Sequence, residues 1–293
     1  MKLFSLPPRH WKWRLQGSCF ELVQQFIESQ FKADLFLVTS FLDWNTFHAL
    51  LPVKFKKIPC IYYFHENQLC YPLQQHLKKQ EIDFSYSLIQ IKSALAAYRI
   101  AFNSEFHKRE FLEAVDNFFK LMPDFRPSGV ANKINEKSLI LALGIEKTNE
   151  LIPNPRSELE SIPSVPTFLW NHRWEHDKNP NDFFSILFEL KKRKKNFKLI
   201  VLGEQFRNAP ETFKKAKEKL KNEIIHWGWV ESEKEYRQWI KKADIALVTS
   251  VQENFGLSVL ESAIAGLELI LPNRLVYPEM YLNAVSYTHL RAH

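Results

Sequence analysis

Glycine and methionine are scarce in this chain: 7 and 3 of 293 residues, against 24 phenylalanines and 8 tryptophans. That aromatic-heavy balance, with 45% hydrophobic and 25% charged residues, excludes a disordered chain. Cysteine is scarcer still. Cys19, Cys60 and Cys70 are irregularly spaced, matching neither a zinc site nor a disulfide framework, and imply a reducing compartment such as the cytoplasm. No run of about 18 apolar residues occurs, which excludes a conventional membrane span, and Pro7, Pro8, Arg9 and His10 interrupt the N-terminus too early for a signal peptide. Acidic residues fall short of basic ones, 33 to 40, giving +7 and a pI near 9.1. Such an excess mildly favours a polyanionic partner such as nucleic acid. The densest run, Lys191 to Lys195, closes an expected amphipathic helix, where cations suit the negative end of the dipole.

What is present is alternation. Asp34 to Ser40, Ile58 to Phe64, Tyr98 to Phe102 and Leu139 to Leu143 read as buried strands, with helices over Cys19 to Gln30 and Phe84 to Tyr98. A Pro-rich stretch from Asn149 to Pro166 reads as a linker. Alternation then restarts, with strands at Thr167 to Asn171, Lys198 to Leu202, Ile224 to Trp229, Ile245 to Thr249 and Leu269 to Leu271. The helices between them are Asp182 to Lys195, Pro210 to Lys221, Glu233 to Lys242 and Gly256 to Ala265. The expectation is α/β: two parallel-sheet domains, 1–150 and 167–285, joined through 151–166 and enclosing a ligand cleft. The opening lacks the usual first strand, and Ser286 to His293 continues no periodicity. The chain therefore reads as truncated at both ends, with a foreign tail over 286–293.

Two loops carry chemistry. Glu253 to Glu261 (ENFGLSVLE) follows a strand and opens a helix near Gly256 and Leu257. A carboxylate in such a loop can accept from sugar hydroxyls, and one two turns into the helix can reach a ribose. Between them, helix-start N–H groups face an anion. As isolated carboxylates they would be ordinary surface groups; the strand–loop–helix order argues otherwise. Asn171 to Pro180 (NHRWEHDKNP) also follows a strand, and its Arg173 and Lys178 can converge on a diphosphate.

Together these motifs resemble the retaining glycosyltransferase family 4, which has the GT-B fold of two Rossmann-like domains facing a cleft. The resemblance covers nearly all of Pro166 to Tyr281. It implies that Arg173 and Lys178 bind the donor diphosphate, that Glu253 contacts the donor sugar, and that Glu261 contacts the ribose. It also implies that no metal cofactor is needed, in keeping with the lack of any Asp-x-Asp pair. In the first half, Pro7 to Arg14 (PPRHWKWR), Tyr63 to Gln68 (YFHENQ), Phe102 to Ser104 and Met122 to Pro127 narrow the resemblance, as does Pro272 to Glu279 (PNRLVYPE) in the second. These segments are similar to the tRNA-queuosine α-mannosyltransferases, implying GDP-mannose as donor and queuosine-bearing tRNA as acceptor. His65 would lie near the donor sugar as a catalytic group. Trp11, Trp13 and Tyr71 could stack on a base while Arg9, Lys12 and Arg14 meet phosphates. Two rival readings remain at this point: another acceptor (a glycan, lipid or small molecule), and an inactive nucleotide- or RNA-binding fragment.

Overall fold

The computed structural model describes residues 1–7, 10–70, 84–145, 163–205, 209–282 and 285–287. The chain forms two compact units, Met1–Leu143 and Gly144–His293. Most of the expected linker falls outside the described residues, as do residues 288–293.

The first unit is a four-stranded sheet of β1 (Phe36–Thr39), β2 (Cys60–Phe64), β3 (Arg99–Phe102) and β4 (Ser138–Ile140), in that order and parallel throughout. The pleat of β2 buries alternate side chains, so Tyr62 and Phe64 are wholly enclosed, while β3 buries Ile100, Ala101 and Phe102 in succession. Helices α1 (Trp11–Glu28), α2 (Trp44–Leu50), α3 (Ser85–Ala96), α4 (Glu105–Lys120) and α5 (Val130–Asn135) complete the unit. α1 begins eight residues before the expected Cys19. Leu15, Cys19, Val23 and Phe26 form one buried stripe at helical spacing, and the turn ahead of it carries Trp11 to Arg14. α4, which the sequence reading leaves unassigned, is signalled by the Ser104 hydroxyl accepting from the His107 N–H and by buried Phe111, Val115 and Phe118. β4 lies earlier than Leu139 to Leu143, because pairing with β3 ends at Phe102 opposite Ile140.

The second unit holds β5 (Thr167–Trp170), β6 (Lys198–Leu202), β7 (Ile224–Gly228), β8 (Ile245–Leu247), β9 (Glu268–Pro272) and β10 (Val285–Tyr287). The spatial order is β10-β9-β8-β5-β6-β7, again parallel throughout. Strands β5 and β8 are buried on both faces, hence their unbroken apolar sequence. Pairing of β10 with β9 reaches two residues into the segment expected to be foreign. The helices are α6 (Pro180–Lys192), α7 (Thr212–Lys219), α8 (Glu233–Lys241), α9 (Leu257–Ile264) and α10 (Tyr277–Met280). The Lys-rich run closes α6 on the surface, where Lys191 pairs with Glu223 and Arg193 with Glu189. Among the described residues no helix is long and apolar enough to cross a membrane.

This strand order is that of a doubly wound sheet, whose chain reverses direction of travel between β5 and β8. Ligands of such sheets bind beyond the carboxyl ends of the strands at that reversal. The Asn171 to Pro180 loop leaves β5, and the Glu253 to Glu261 segment follows β8. Topology therefore brings together the two loops that sequence singles out.

Candidate functional site

At the reversal point Lys178 is the centre. Its Nζ lies 3.1 Å from Asp177 Oδ2, 3.1 Å from Glu253 Oε2 and 3.1 Å from the Gln252 carbonyl oxygen. An ammonium has three donors, so all three are engaged. The side chains are nearly enclosed, at 11% exposure for Lys178, 2% for Asp177 and 17% for Glu253. Burial pushes the ammonium down, but Glu253 and Asp177 outweigh it and hold Lys178 above the ordinary lysine value. Burial likewise pushes the Glu253 carboxyl up, and Lys178 more than offsets it, with His172 and backbone N–H groups assisting. The cluster is a stable ion triple, two carboxylates on one cation.

Glu253 Oε1 accepts from the N–H groups of Asn254 at 3.2 Å and Gly256 at 3.0 Å. The carboxylate thus occupies the turn that opens α9, and Gly256 supplies the φ of 81° that the turn needs. Leu257 starts the helix and is half exposed. One turn on, Glu261 Oε2 accepts from Tyr236 Oη of α8 at 2.7 Å. Burial pushes the Glu261 carboxyl up, and the Tyr236 hydroxyl partly offsets this.

Arg173 is not part of the triple. Its guanidinium is about half exposed and pairs with Glu175 Oε2 at 3.2 Å. The structure therefore joins Lys178, Glu253 and Gly256 directly, sets Glu261 on the same helix, and leaves Arg173 on the loop surface. Several supporting residues had no signal of their own in the sequence. His172 is buried against Ser258, with Nδ1 2.8 Å from Oγ, and its pKa is pushed down to about 4 by burial and by Lys178. Asn171 donates to the Ser258 carbonyl at 2.8 Å, tying the β5 loop to α9. Gly203, with φ 114°, passes so close to the His172 carbonyl that a Cβ there would sit 2.1 Å from the oxygen. Arg274 Nη2 donates to the Ser250 carbonyl at 3.1 Å, fixing the Pro272 to Glu279 segment beside the β8 loop. Tyr281, just beyond, borders a cavity of ≈ 130 Å³. Asp177 was legible only as the neighbour of Lys178.

The first unit has a second constellation at its own strand ends. His65 follows β2; burial lowers its pKa, and Ser40 Oγ lies 3.4 Å from its Nδ1. Asn103, following β3, donates through Nδ2 to the His65 carbonyl at 3.0 Å, while its Oδ1 lies 2.8 Å from His107 Nδ1. His107 is fully enclosed and its pKa is pushed down to about 3, by burial first and by His65 second. Of the expected acceptor residues, Trp11, Lys12, Trp13 and Arg14 form the first turn of α1, whereas Arg9 and Tyr71 lie outside the described residues. The Trp11 ring is 6.0 Å from that of Phe41, and Phe41 is 5.1 Å from the His65 ring. A continuous aromatic path thus links the α1 turn to His65. Lys12 lies over the Trp11 ring at 5.9 Å, and Trp13 is 61% exposed.

Comparison with known proteins agrees with both halves. Residues 1–145 match the model of the tRNA-queuosine alpha-mannosyltransferase N-terminal domain, and residues 154–289 match glycosyl transferases group 1. A tRNA-queuosine alpha-mannosyltransferase of Drosophila melanogaster is 33% identical over 284 residues, covering 96% of this chain and 74% of its own. Among solved structures, an Escherichia coli one described as trehalose-6-phosphate bound with UDP-2-fluoro glucose superposes with a TM-score of 0.63 at 12% identity, over 97% of this chain and 68% of its own. Anabaena HepE, in complex with UDP and glucose, gives 0.58 at 14% over 88% of this chain and 64% of its own. These structural likenesses establish the GT-B fold, and the sequence matches run through both units in order. The chain is a glycosyltransferase and belongs to the tRNA-queuosine alpha-mannosyltransferase family.

Proposed function

We propose that this chain transfers mannose, with retention, from GDP-mannose to a queuosine hydroxyl in the anticodon loop of tRNA. The observation that carries the reading is the buried triple of Lys178, Asp177 and Glu253 at the reversal of a doubly wound sheet, in a chain 33% identical to a named tRNA-queuosine alpha-mannosyltransferase.

In this reading Lys178 exchanges Glu253 for a phosphate oxygen of the donor. The exchange frees Glu253 to accept from hydroxyls of the donor sugar, so one contact signals the other. Arg173 turns from Glu175 to the diphosphate, which a guanidinium can grip with two donors. Glu261 receives the ribose, and the N–H groups at Leu257 and Gly256 stabilise the departing diphosphate. The bond from the anomeric carbon to the diphosphate oxygen then breaks, its electron pair leaving on the diphosphate. The acceptor hydroxyl attacks from the same face and passes its proton to that departing oxygen, with no protein nucleophile; positioning and electrostatic stabilisation of the leaving group supply the rate. His65, poised neutral by burial, orients the sugar through ring and carbonyl. The α1 turn receives an unpaired base on Trp11 or Trp13 and phosphates on Lys12 and Arg14, with Arg9 as a further contact. The site is cytoplasmic, as a tRNA substrate requires, and works without a divalent metal.

The test supplies GDP-mannose labelled in the sugar to the chain with two tRNA samples that differ only in queuosine. Label is expected on the queuosine tRNA alone, and it should persist when a chelator is added. Equal labelling of both samples would reject the modified base as acceptor, and loss on chelation, restored by magnesium, would reject metal-free departure of the diphosphate.

A further inference from the structure

Tyr236 belongs to none of the motifs that single out this site. It sits on α8, 25 residues from Glu261, and its hydroxyl donates to Glu261 Oε2 at 2.7 Å. Among the described residues no hydrogen bond is made to the other oxygen, Oε1. The phenol is half-buried and stays protonated, since burial, then Glu261, raises its pKa; it is therefore a donor at any working pH. Asn171, from the β5 loop, faces the same phenol. The charged groups facing Glu261 are Arg237 and Glu233 of α8, which act in opposite directions.

A glutamate on a helix has three rotatable bonds, and fixing them costs up to about 2 kcal/mol of conformational freedom. A carboxylate already held by a phenol has met that cost before a ligand arrives. The phenol's hydrogen bond also opposes the burial that favours the protonated carboxyl.

We propose that Tyr236 is a positioning residue for nucleoside recognition: it anchors Glu261 through Oε2 so that Oε1 is presented to the vicinal hydroxyls of a ribose. The inference rests on the reading of Glu261 as the ribose contact and adds the device that aims it. A phenol that merely packed α8 against α9 would affect all nucleotides equally. A phenol that aims Glu261 affects only those that carry ribose hydroxyls.

The experiment measures the affinity of the full chain for GDP and for 2′,3′-dideoxy-GDP by calorimetric titration. The unaltered chain is expected to prefer GDP by about tenfold or more, the worth of one or two hydrogen bonds to a charged group. In Tyr236→Phe that preference should fall to within about threefold of unity through weaker GDP binding, with dideoxy-GDP affinity unchanged. Unchanged dideoxy-GDP binding also reports an intact fold. Parallel loss for both nucleotides, or an undiminished preference, overturns the proposal. Glu261→Gln separates the two levels: if it keeps the full preference, the ribose reading itself fails, whereas if it loses the preference while Tyr236→Phe keeps it, only the role of Tyr236 fails.

Discussion

The two units end their strands in polar clusters of different chemistry. Each ends its parallel strands in a cluster of polar side chains, but the second unit collects full charges and the first collects almost none. The carboxylates of Asp177 and Glu253 each lie 3.1 Å from the Lys178 ammonium and compensate its charge. Ser40, His65, Asn103 and His107 are neutral, joined by hydrogen bonds, and walled by Phe41 and Trp11. On the reading proposed above, the second unit binds and releases a diphosphate and so needs cations, and buried cations need carboxylates to remain stable until the ligand arrives. The first unit would hold a sugar or a base on flat apolar surfaces and fixed dipoles, which carry no such penalty. On that reading the charge of each cluster follows its proposed ligand.

The largest effect that would break this comparison is on Lys178. Lys178→Ala leaves two carboxylates enclosed beside each other, and removing one partner of a buried ion cluster typically costs about 3–5 kcal/mol. His65→Ala in the first unit removes a neutral, half-buried ring and should cost far less. Denaturant unfolding followed by hydrogen exchange should locate the Lys178 loss in the second unit. Equal losses for the two variants would mean that the charged cluster is not what distinguishes the units.

Acid should then expose what the units share. His107 and His172 are both held neutral, with pKa values pushed down to about 3 and about 4 by burial. The unfolded chain takes a proton on each below about pH 6.5, whereas the folded chain does not, so stability falls as pH drops through that value. By pH 5 each histidine should account for about 2 kcal/mol. Glu253 adds nothing in this range: its folded value is lowered, so its contribution is lost only below the ordinary carboxylate value. The check is unfolding at pH 7 and pH 5 for the unaltered chain, His107→Gln and His172→Gln. A pH dependence unchanged in both variants would show that the imidazoles are not the acid-sensitive groups.

How much of this was legible in the sequence follows from how local each feature is. Strands β5, β6 and β8 were readable because they are short apolar runs buried on both faces. The loops of Lys178 and Glu253 were readable because each follows a strand and precedes a helix signal. α4 escaped because Phe106, Phe111, Val115 and Phe118 repeat unevenly, and its boundary rests on a cap at Ser104. Tyr236, His172 and Gly203 had no signal of their own, since what matters about each is a partner 25 to 86 residues away. The engagement of Lys178 by Asp177 was hidden for the opposite reason: adjacent residues seldom face one site, and here a short 3-10 turn over His176–Lys178 makes them do so.

A smaller effect tests the aromatic side of the comparison. Trp13 is 61% exposed and Trp11 43% exposed, with Trp11 also packed on Tyr86 at 5.4 Å between ring centres. Trp13→Ala should leave stability within about 0.5 kcal/mol, and Trp11→Ala should cost about 1 kcal/mol through its ring contacts. If the α1 turn receives RNA bases, each change should nonetheless weaken tRNA binding by about 1–3 kcal/mol while GDP affinity stays as it was. Full tRNA binding in a folded double variant would assign these rings to packing alone.

The smallest effect is expected at Arg173, where the question is whether a surface charge belongs with the buried ones. Its pairing with Glu175 is half exposed, and exposed pairs contribute between about 0 and 1 kcal/mol. Arg173→Ala should therefore leave unfolding almost unchanged, unlike Lys178→Ala. A role in gripping the diphosphate would appear only in binding, as a loss of roughly tenfold in GDP affinity, the worth of one charge-assisted contact. Arg173→Lys separates charge from geometry. A lysine keeps the charge but not the planar fork, so binding restored by lysine would mean long-range attraction, whereas binding still weak with lysine would mean a two-donor contact. Raising the salt concentration sharpens the distinction, because attraction across solvent is screened beyond about 8–10 Å while a direct contact is screened much less. An Arg173→Ala variant with unaltered GDP affinity at low salt would leave the donor diphosphate to Lys178 and the start of α9, and the charge difference between the units would then reside wholly in the buried triple.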